Sequence, residues 1–425
     1  MAVGTGLCAG IAGGFLLTDG DVIGLAVATI ALAAAVAVSY LIVPAGMRPV
    51  VIPIVVLAVL LRVAAAVVLY DAFLATGRGG FVTGDDAGYA NLAERLARIL
   101  HGENAPFNYG SEGYLLGTYV YLETAVFYLV GPHAVYVEFL NAAMGGLLVM
   151  FAFDIARRLT ADVRTGVIAG GLVALYPSLV LWSALNLKDS LALLLVAMVL
   201  WLVLIFQTAP ERWWVIPVAY LVLLPMDGLR NYIFLGLSLV IPASVALTPG
   251  LRARKRALTT ALAVSLSILF LATQSNSTGL RSISDFDAER NAMGIGANTN
   301  FGDLSVPVRV IYVLFSPFPW SLRRALDLLP VPEMLLWYAA LVGAFVVVAR
   351  RSPPWPLLAP LVFFIGGTMT VFVLAEANVG TLFRHRAMVV PFVLILAAPA
   401  FASAMTALQG RVRLLSQARR PQLAQ

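Results

Sequence analysis

The sequence is short of charge. Only 12% of its 425 residues are Asp, Glu, Lys or Arg, while 61% are hydrophobic and the mean hydropathy is +0.91. Ordinary soluble domains carry about 25% charged residues. A water-soluble globule with this composition would expose apolar patches it could not tolerate, which excludes a soluble enzyme, a DNA-binding protein and a disordered chain. Cysteine is almost missing too: Cys8 stands alone, so no intrachain disulfide can form. No Lys or Arg precedes Arg48. The positive leader of a secretory signal is therefore lacking, and the first apolar run reads as a retained span. Lysine occurs twice, as Lys188 and Lys255, among 28 basic residues. With Ala, Val and Leu abundant, that bias fits a GC-rich bacterial genome. The net charge of +6 reflects basic cytoplasmic loops rather than a nucleic-acid partner.

What is present is long apolar runs separated by short polar breaks. They predict an all-α polytopic membrane protein. Spans are expected at 2–18, 22–43, 50–70, 135–153, 165–182, 189–206, 212–226, 231–247, 257–273, 333–349, 356–375 and 388–407. Basic residues mark the cytoplasmic turns: Arg157, Arg158 and Arg164; Arg252, Arg254, Lys255 and Arg256; Arg350 and Arg351; and the tail 411–425. All share one side only if residues 114–131, with Glu123 and a Gly-Pro end, lie at the outer surface without crossing. Twelve spans with both termini inside follow, in a bacterial plasma membrane. This topology puts 19 of the 22 acidic residues outside. Most outer charge falls in two long loops, 71–134 and 274–332, and long loops are usually functional. The chain divides into an N-terminal hairpin (1–49), a first half (50–206), a second half (207–410) and the tail.

Four constellations carry candidate chemistry. Gly84-Asp85-Asp86-Ala87-Gly88-Tyr89 opens an amphipathic helix, with Tyr89, Leu92, Ala93, Leu96, Ile99 and Leu100 on one face, ending at His101-Gly102. Its aspartates read either as helix caps, Asp85 more than Asp86, or as a carboxylate base at the membrane surface. A divalent metal has only this Asp pair to support it. Lys188 and Asp189 lie in an outer turn, where they either pair with each other or Lys188 meets a phosphate. Arg384-His385-Arg386 sits outside, against the positive-inside trend. It reads as an anchor on lipid phosphates or as a site for a substrate phosphate. Arg62 is an intramembrane charge, which reads either as functional or, from the outer half of its helix, as simply reaching an outer acid. Arg230, beside Asp227, adds further outer charge.

An Asp-x-x-Tyr element after a span leads into a surface helix ending in Gly. Then come an apolar segment ending in Gly-Pro, a span ending Ile155-Ala156-Arg157-Arg158-Leu159-Thr160, and another closing in Tyr176-Pro177-Ser178. This order resembles the C-type (GT-C) glycosyltransferases, in particular the protein O-mannosyltransferases and the aminoarabinose transferase of lipid A. It covers roughly residues 50–206, and more loosely Arg384-His385-Arg386, where His385 stands in place of a usual Tyr. The resemblance implies a GT-C-like bundle with juxtamembrane helices in the first outer loop. It also implies transfer of a sugar from a polyprenyl-phosphate donor to a cell-envelope acceptor on the outer face. Asp86 takes the base's place, with Asp85 as the fallback. Arg384, Arg386 and Lys188 are expected to hold phosphate, with Asp189, His385, Arg230 and Tyr89 lining the substrate site. Membrane lipid and the donor are the implied partners, and the acceptor is a glycan, lipid or protein.

The chemistry agrees. A phosphate leaving group needs positive charge rather than a general acid, and the acceptor hydroxyl needs one carboxylate base. Direct displacement inverts the anomeric carbon. Two other readings remain: a polysaccharide polymerase or O-antigen-ligase type of transferase with a diphosphate donor, and a flippase or transporter. A transporter calls for polar residues along a path between both faces and often internal repeats. The sequence shows no repeat, and its polar residues concentrate on one side.

Overall fold

The computed structural model describes residues 21–106, 116–226, 228–273, 300–318 and 331–418. The span expected over 2–18, most of the loop 274–332, Asp227 and the end of the basic tail lie outside them. Among the described residues there are sixteen α-helices, and the only bridge outside them joins Asn300 to Asn378.

The helices run, in chain order, α1 Val22–Ile42, α2 Arg48–Ala75, α3 Gly84–Leu100, α4 Thr118–Val130, α5 Ala134–Thr160, α6 Val163–Leu175, α7 Pro177–Ser183 and α8 Asp189–Thr208. They continue with α9 Val215–Leu223, α10 Asn231–Ala246, α11 Ala253–Thr273, α12 Val306–Phe315, α13 Val331–Arg350, α14 Trp355–Ala375, α15 Val379–Arg386 and α16 Val390–Ala418. Eight are long and apolar enough to cross a membrane, or nine if α6 and α7 count as one span. The expected spans 212–226 and 231–247 are shorter than predicted. Helix α9 gives way to a 3₁₀ turn over Leu224–Met226, and α10 has 16 residues. At 1.5 Å per residue each falls short of a ~30 Å hydrocarbon core. Pro225 and then Gly228, at φ +73°, end the run.

The span expected over 165–182 is bent by 58° at Tyr176-Pro177. Proline supplies no N–H and pushes the residue before it into extended backbone, and Tyr176 sits at φ −66°, ψ 120°. The break strands the last carbonyls of α6. Arg62 takes them: its guanidinium donates to Val173 O at 3.1 Å and Ala174 O at 3.0 Å, and to Ala58 O in its own helix at 3.0 Å. Arg62 therefore does not reach an outer acid, as the sequence suggested. It is wholly buried. An arginine at the centre of a membrane helix costs about 3 kcal/mol on insertion scales, a cost these three carbonyls offset.

Helix α5 is the core of the bundle, buried along most of its length and packed against α1, α2, α6 and α8. Apolar burial does not drive helices together in lipid, so close packing of small residues matters more. Gly146 is one such contact, since a Cβ there would collide with Val59. Because consecutive helices alternate in direction, their junctions gather at two ends. One end holds the turns near 43–48, 160–163, 208–215, 246–253 and 350–355. The other holds α3, α4, α7, α15 and the turns leading into α5, α8 and α10. Helix α4, at 13 residues, spans about 20 Å and packs on α3. On α3, Tyr89, Leu92 and Ala93 are buried as expected. Ile99 and Leu100 are exposed, because the covering neighbours stop before the last turn.

Candidate active site

The first turn of α3 sets out two carboxylates in different surroundings. Thr83 is the N-cap, accepting from Asp86 N, and Asp86 at the third helical position bonds back to Thr83 N at 3.0 Å, closing a capping box. Asp86 also accepts from Val82 N at 2.8 Å, Ala87 N at 2.8 Å and Thr83 Oγ1 at 3.0 Å. It is 1% exposed. Its lone pairs are occupied by the backbone that holds the helix start. Asp85, about 100° further round the helix, is free of the cap and has a side chain 58% exposed.

Asp85 faces α15. There Arg384, His385 and Arg386 follow one another on a helix, so each points a different way. Arg384 Nη1 donates to Asp85 Oδ2 at 2.6 Å, and its Nε donates to Asp189 Oδ2 at 2.8 Å. Asp189, at the first turn of α8 and 1% exposed, also accepts from Arg230. Arg230 Nη1 lies 2.9 Å from His385 Nε2. Arginine has no acceptor, so Nε2 must accept and the ring proton sits on Nδ1. Nδ1 then donates to the buried Glu376 at the end of α14. The result is a continuous chain, Asp85–Arg384–Asp189–Arg230–His385–Glu376, drawn from α3, α15, α8, the turn before α10, and α14. Lone charges are costly in a low dielectric, and alternation of sign from Asp85 to Arg230, with the neutral His385 bridging on to Glu376, makes this row tolerable.

Lys188 stands beside that chain. Its ammonium lies 5.9 Å from the Tyr89 ring centroid and has no carboxylate partner among the described residues. Burial, then the neighbouring Arg230, lowers its pKa to about 8, with Arg384 adding to the effect. Burial and Asp85 raise the Tyr89 hydroxyl to about 12, so it stays protonated. Tyr89 packs edge-on against Tyr119, with ring centroids 5.6 Å apart. Trp182 lies under Arg384, 5.9 Å from the guanidinium carbon.

Arg386 points elsewhere. It is buried, donates to Ser316 O at 2.6 Å and to Met334 Sδ, and lies 5.2 Å over the Trp337 ring. The structure thus gathers Asp85, Lys188, Asp189, Arg230, Arg384, His385 and Tyr89, and sets Asp86 and Arg386 apart. Glu376, which sequence reasoning missed, joins them. Its signal was an acid at the end of an apolar run. No cluster of three or more His, Cys, Asp or Glu side chains suited to a metal occurs among the described residues.

Behind α3 lies a second polar cluster of a different kind. Asn186 Nδ2 donates to Glu123 Oε1 at 2.5 Å and reaches Asp86 O at 3.4 Å, and Tyr119 Oη donates to Asn186 Oδ1 at 2.7 Å. Asn141 Nδ2 donates to Tyr119 Oη and to the carbonyls of Leu185 and Leu187. Burial, opposed by the Asn186 bond, pushes the Glu123 pKa up to about 8. These residues tie α3, α4 and α5 to the turn that carries Lys188.

No protein-family model and no curated protein sequence matches the chain. Solved structures do. ArnT from Cupriavidus metallidurans, bound to undecaprenyl phosphate, superposes with a TM-score of 0.53 at 15% identity, covering 82% of this chain and 59% of that one. The Archaeoglobus fulgidus oligosaccharyltransferase in its apo form gives a TM-score of 0.52 at 14% identity, over 87% of this chain and 52% of that one. The chain has the GT-C fold. It spans between half and three-fifths of the length of these GT-C neighbours. Helices α3 and α4 lie in the chain between α2 and α5, and the charged chain starts from α3.

Proposed function

We propose that this protein is an inverting glycosyltransferase that takes a sugar from a polyprenyl-phosphate donor. The observation that carries the reading is the Lys188 ammonium near Arg384, with no carboxylate partner among the described residues, and an exposed carboxylate, Asp85, on the far side of that arginine. A donor phosphate entering this corner meets Lys188 and the Nη1 side of Arg384, which suits the fork of an arginine. Competition for Nη1 draws Arg384 off Asp85. The Asp85 carboxylate, occupied by Arg384 in the absence of donor, is then free to accept a proton once a donor is bound. An acceptor hydroxyl gives its proton to Asp85 as its oxygen bonds to the anomeric carbon. The bond from that carbon to the phosphate oxygen breaks on the opposite side, so the configuration inverts. Lys188 and Arg384 stabilise the departing phosphate.

Asp86 was the first choice for the base on sequence. We assign that role to Asp85 instead, because Asp86 is saturated by its own helix start. Asp189 and Arg230 hold Arg384 in place, and His385 with Glu376 fixes Arg230. Arg386 has a structural place against Trp337. Basic turns at the opposite end, with Arg157, Arg158, Arg252, Arg254, Lys255, Arg256, Arg350 and Arg351, support a site on the outer face of a bacterial plasma membrane. Purified protein in lipid nanodiscs, offered a panel of undecaprenyl-phosphate sugars and envelope acceptors, tests the reading. Release of undecaprenyl phosphate with an inverted product is the expected result, and growth of a polymer from a diphosphate donor would point to the polymerase type.

A further inference from the structure

Beneath Asp189 lies a small cavity of about 10 Å³, whose lining includes Arg62, Gly145, Trp182, Asp189 and Ser190. Three of its lining residues carry a buried polar atom with no hydrogen-bond partner among the described residues: Arg62 Nε, Trp182 Nε1 and Ser190 Oγ. Leaving such groups unpaired costs about 1–3 kcal/mol each. The three residues that carry them meet at one cavity. The size selects the occupant, since about 10–15 Å³ holds one water and a polar site needs two to four partners for it.

We infer that a single ordered water is built into this cavity and couples the intramembrane Arg62 to the charged chain of the proposed active site. Its hydrogen bonding gives each of the three unpaired atoms a partner. The Nε–H of Arg62 and the Nε1–H of Trp182 donate to the water oxygen, and the water's two protons go to Ser190 Oγ and the Asp189 carboxylate. That carboxylate already accepts from Arg230 and Arg384, and each of its oxygens retains a lone pair. A chloride would find the same donors but would face the Asp189 charge. Gly145 is part of the device: a Cβ there would stand 2.6 Å from Arg62 Nε and 2.8 Å from Arg62 Cδ, so any other residue pushes the guanidinium off the cavity. Arg62 thereby serves two elements at once, the broken end of α6 through its Nη groups and Asp189 through its Nε. The role of this water in positioning Asp189 for donor phosphate rests on the transferase reading, while its presence does not.

Crystals of the full chain, grown once in chloride and once in bromide, decide the occupant. A water-sized peak within hydrogen-bond distance of Arg62 Nε, Trp182 Nε1 and Ser190 Oγ, with no bromide anomalous signal, is expected. An unoccupied cavity or a bromide peak overturns the inference. The positioning role is tested with Trp182→Phe, which keeps an aromatic ring under Arg384 and deletes the N–H. We expect undecaprenyl phosphate to bind about 2–10-fold more weakly, the worth of one net hydrogen bond, at an unchanged melting midpoint. Unchanged affinity overturns the coupling. If the wild-type chain binds no undecaprenyl phosphate, the transferase reading fails, and the density alone still decides the water.

Discussion

Asp85 and Asp86 are adjacent in sequence and belong to different worlds. One ends a row of alternating charges that runs from α3 to α14. The other belongs to a cluster of amides, a phenol and acids behind the same helix turn, where no arginine or lysine among the described residues bonds to Glu123. In the first cluster Asp85 and Asp189 pair with the guanidinium groups of Arg384 and Arg230. In the second, burial pushes the Glu123 pKa up to about 8. The difference teaches that a single helical step, about 100° of rotation, separates a group built for chemistry from one built for architecture. The acid cluster fixes the turn that presents Lys188, and the charged row uses it.

The largest test of that division is a pair of substitutions. Asp85→Asn should lower sugar transfer by about 10²–10⁴, the usual contribution of a general base, with melting unchanged because Asp85 is exposed. Asp86→Asn should instead lower the melting midpoint, a loss of about 1 kcal/mol or more from the capping box, while retaining most turnover per folded molecule. Turnover assays and thermal melts on both proteins separate these outcomes, and a reversed pattern would return the base to Asp86.

Lys188→Met comes next. Losing a charge-assisted hydrogen bond of about 1.5–3 kcal/mol should weaken donor binding roughly 10–100-fold. In the wild type the same ammonium is charged below pH about 8 and neutral above it. Donor affinity should therefore hold through neutral pH and fall as pH rises past about 8, while Lys188→Met should lose that pH dependence. Titration of donor binding between neutral and alkaline pH checks the sign.

The smallest effect concerns Glu123. Its folded pKa of about 8 lies above the ordinary carboxylate value of 4.5. The folded state thus holds a proton that the unfolded chain releases, and stability is full below pH ~4.5 and is lost as pH rises through about 8. Glu123→Gln should flatten the melting midpoint across that window. A curve as steep as that of the wild type would show that another group sets it.

Much of this was legible in the sequence. Span positions followed from apolar runs, and α3 from its amphipathic spacing. Arg384, Lys188 and Asp189 drew notice as charges on an apolar chain. What could not be read was direction around a helix. Arg384 and Arg386 look equivalent in sequence, yet one meets Asp189 and the other packs on Trp337. The role of Asp86 was within reach: Thr83-x-x-Asp86 is a capping-box pattern, and the aspartate pair drew attention away from the threonine before it. The 58° break at Tyr176-Pro177 was signalled by its proline. That Arg62 would cap it depends on packing 111 and 112 residues away, which no local pattern carries.

The central claim is that the charged row, and not the acid cluster, receives the donor phosphate. Binding of undecaprenyl phosphate to the full chain in nanodiscs, measured side by side for wild type, Lys188→Met and Glu123→Gln near pH 7, tests it most directly. The account predicts a loss of at least about tenfold for Lys188→Met and an affinity equal to wild type for Glu123→Gln. Equal losses in both variants, or a loss confined to Glu123→Gln, would contradict it.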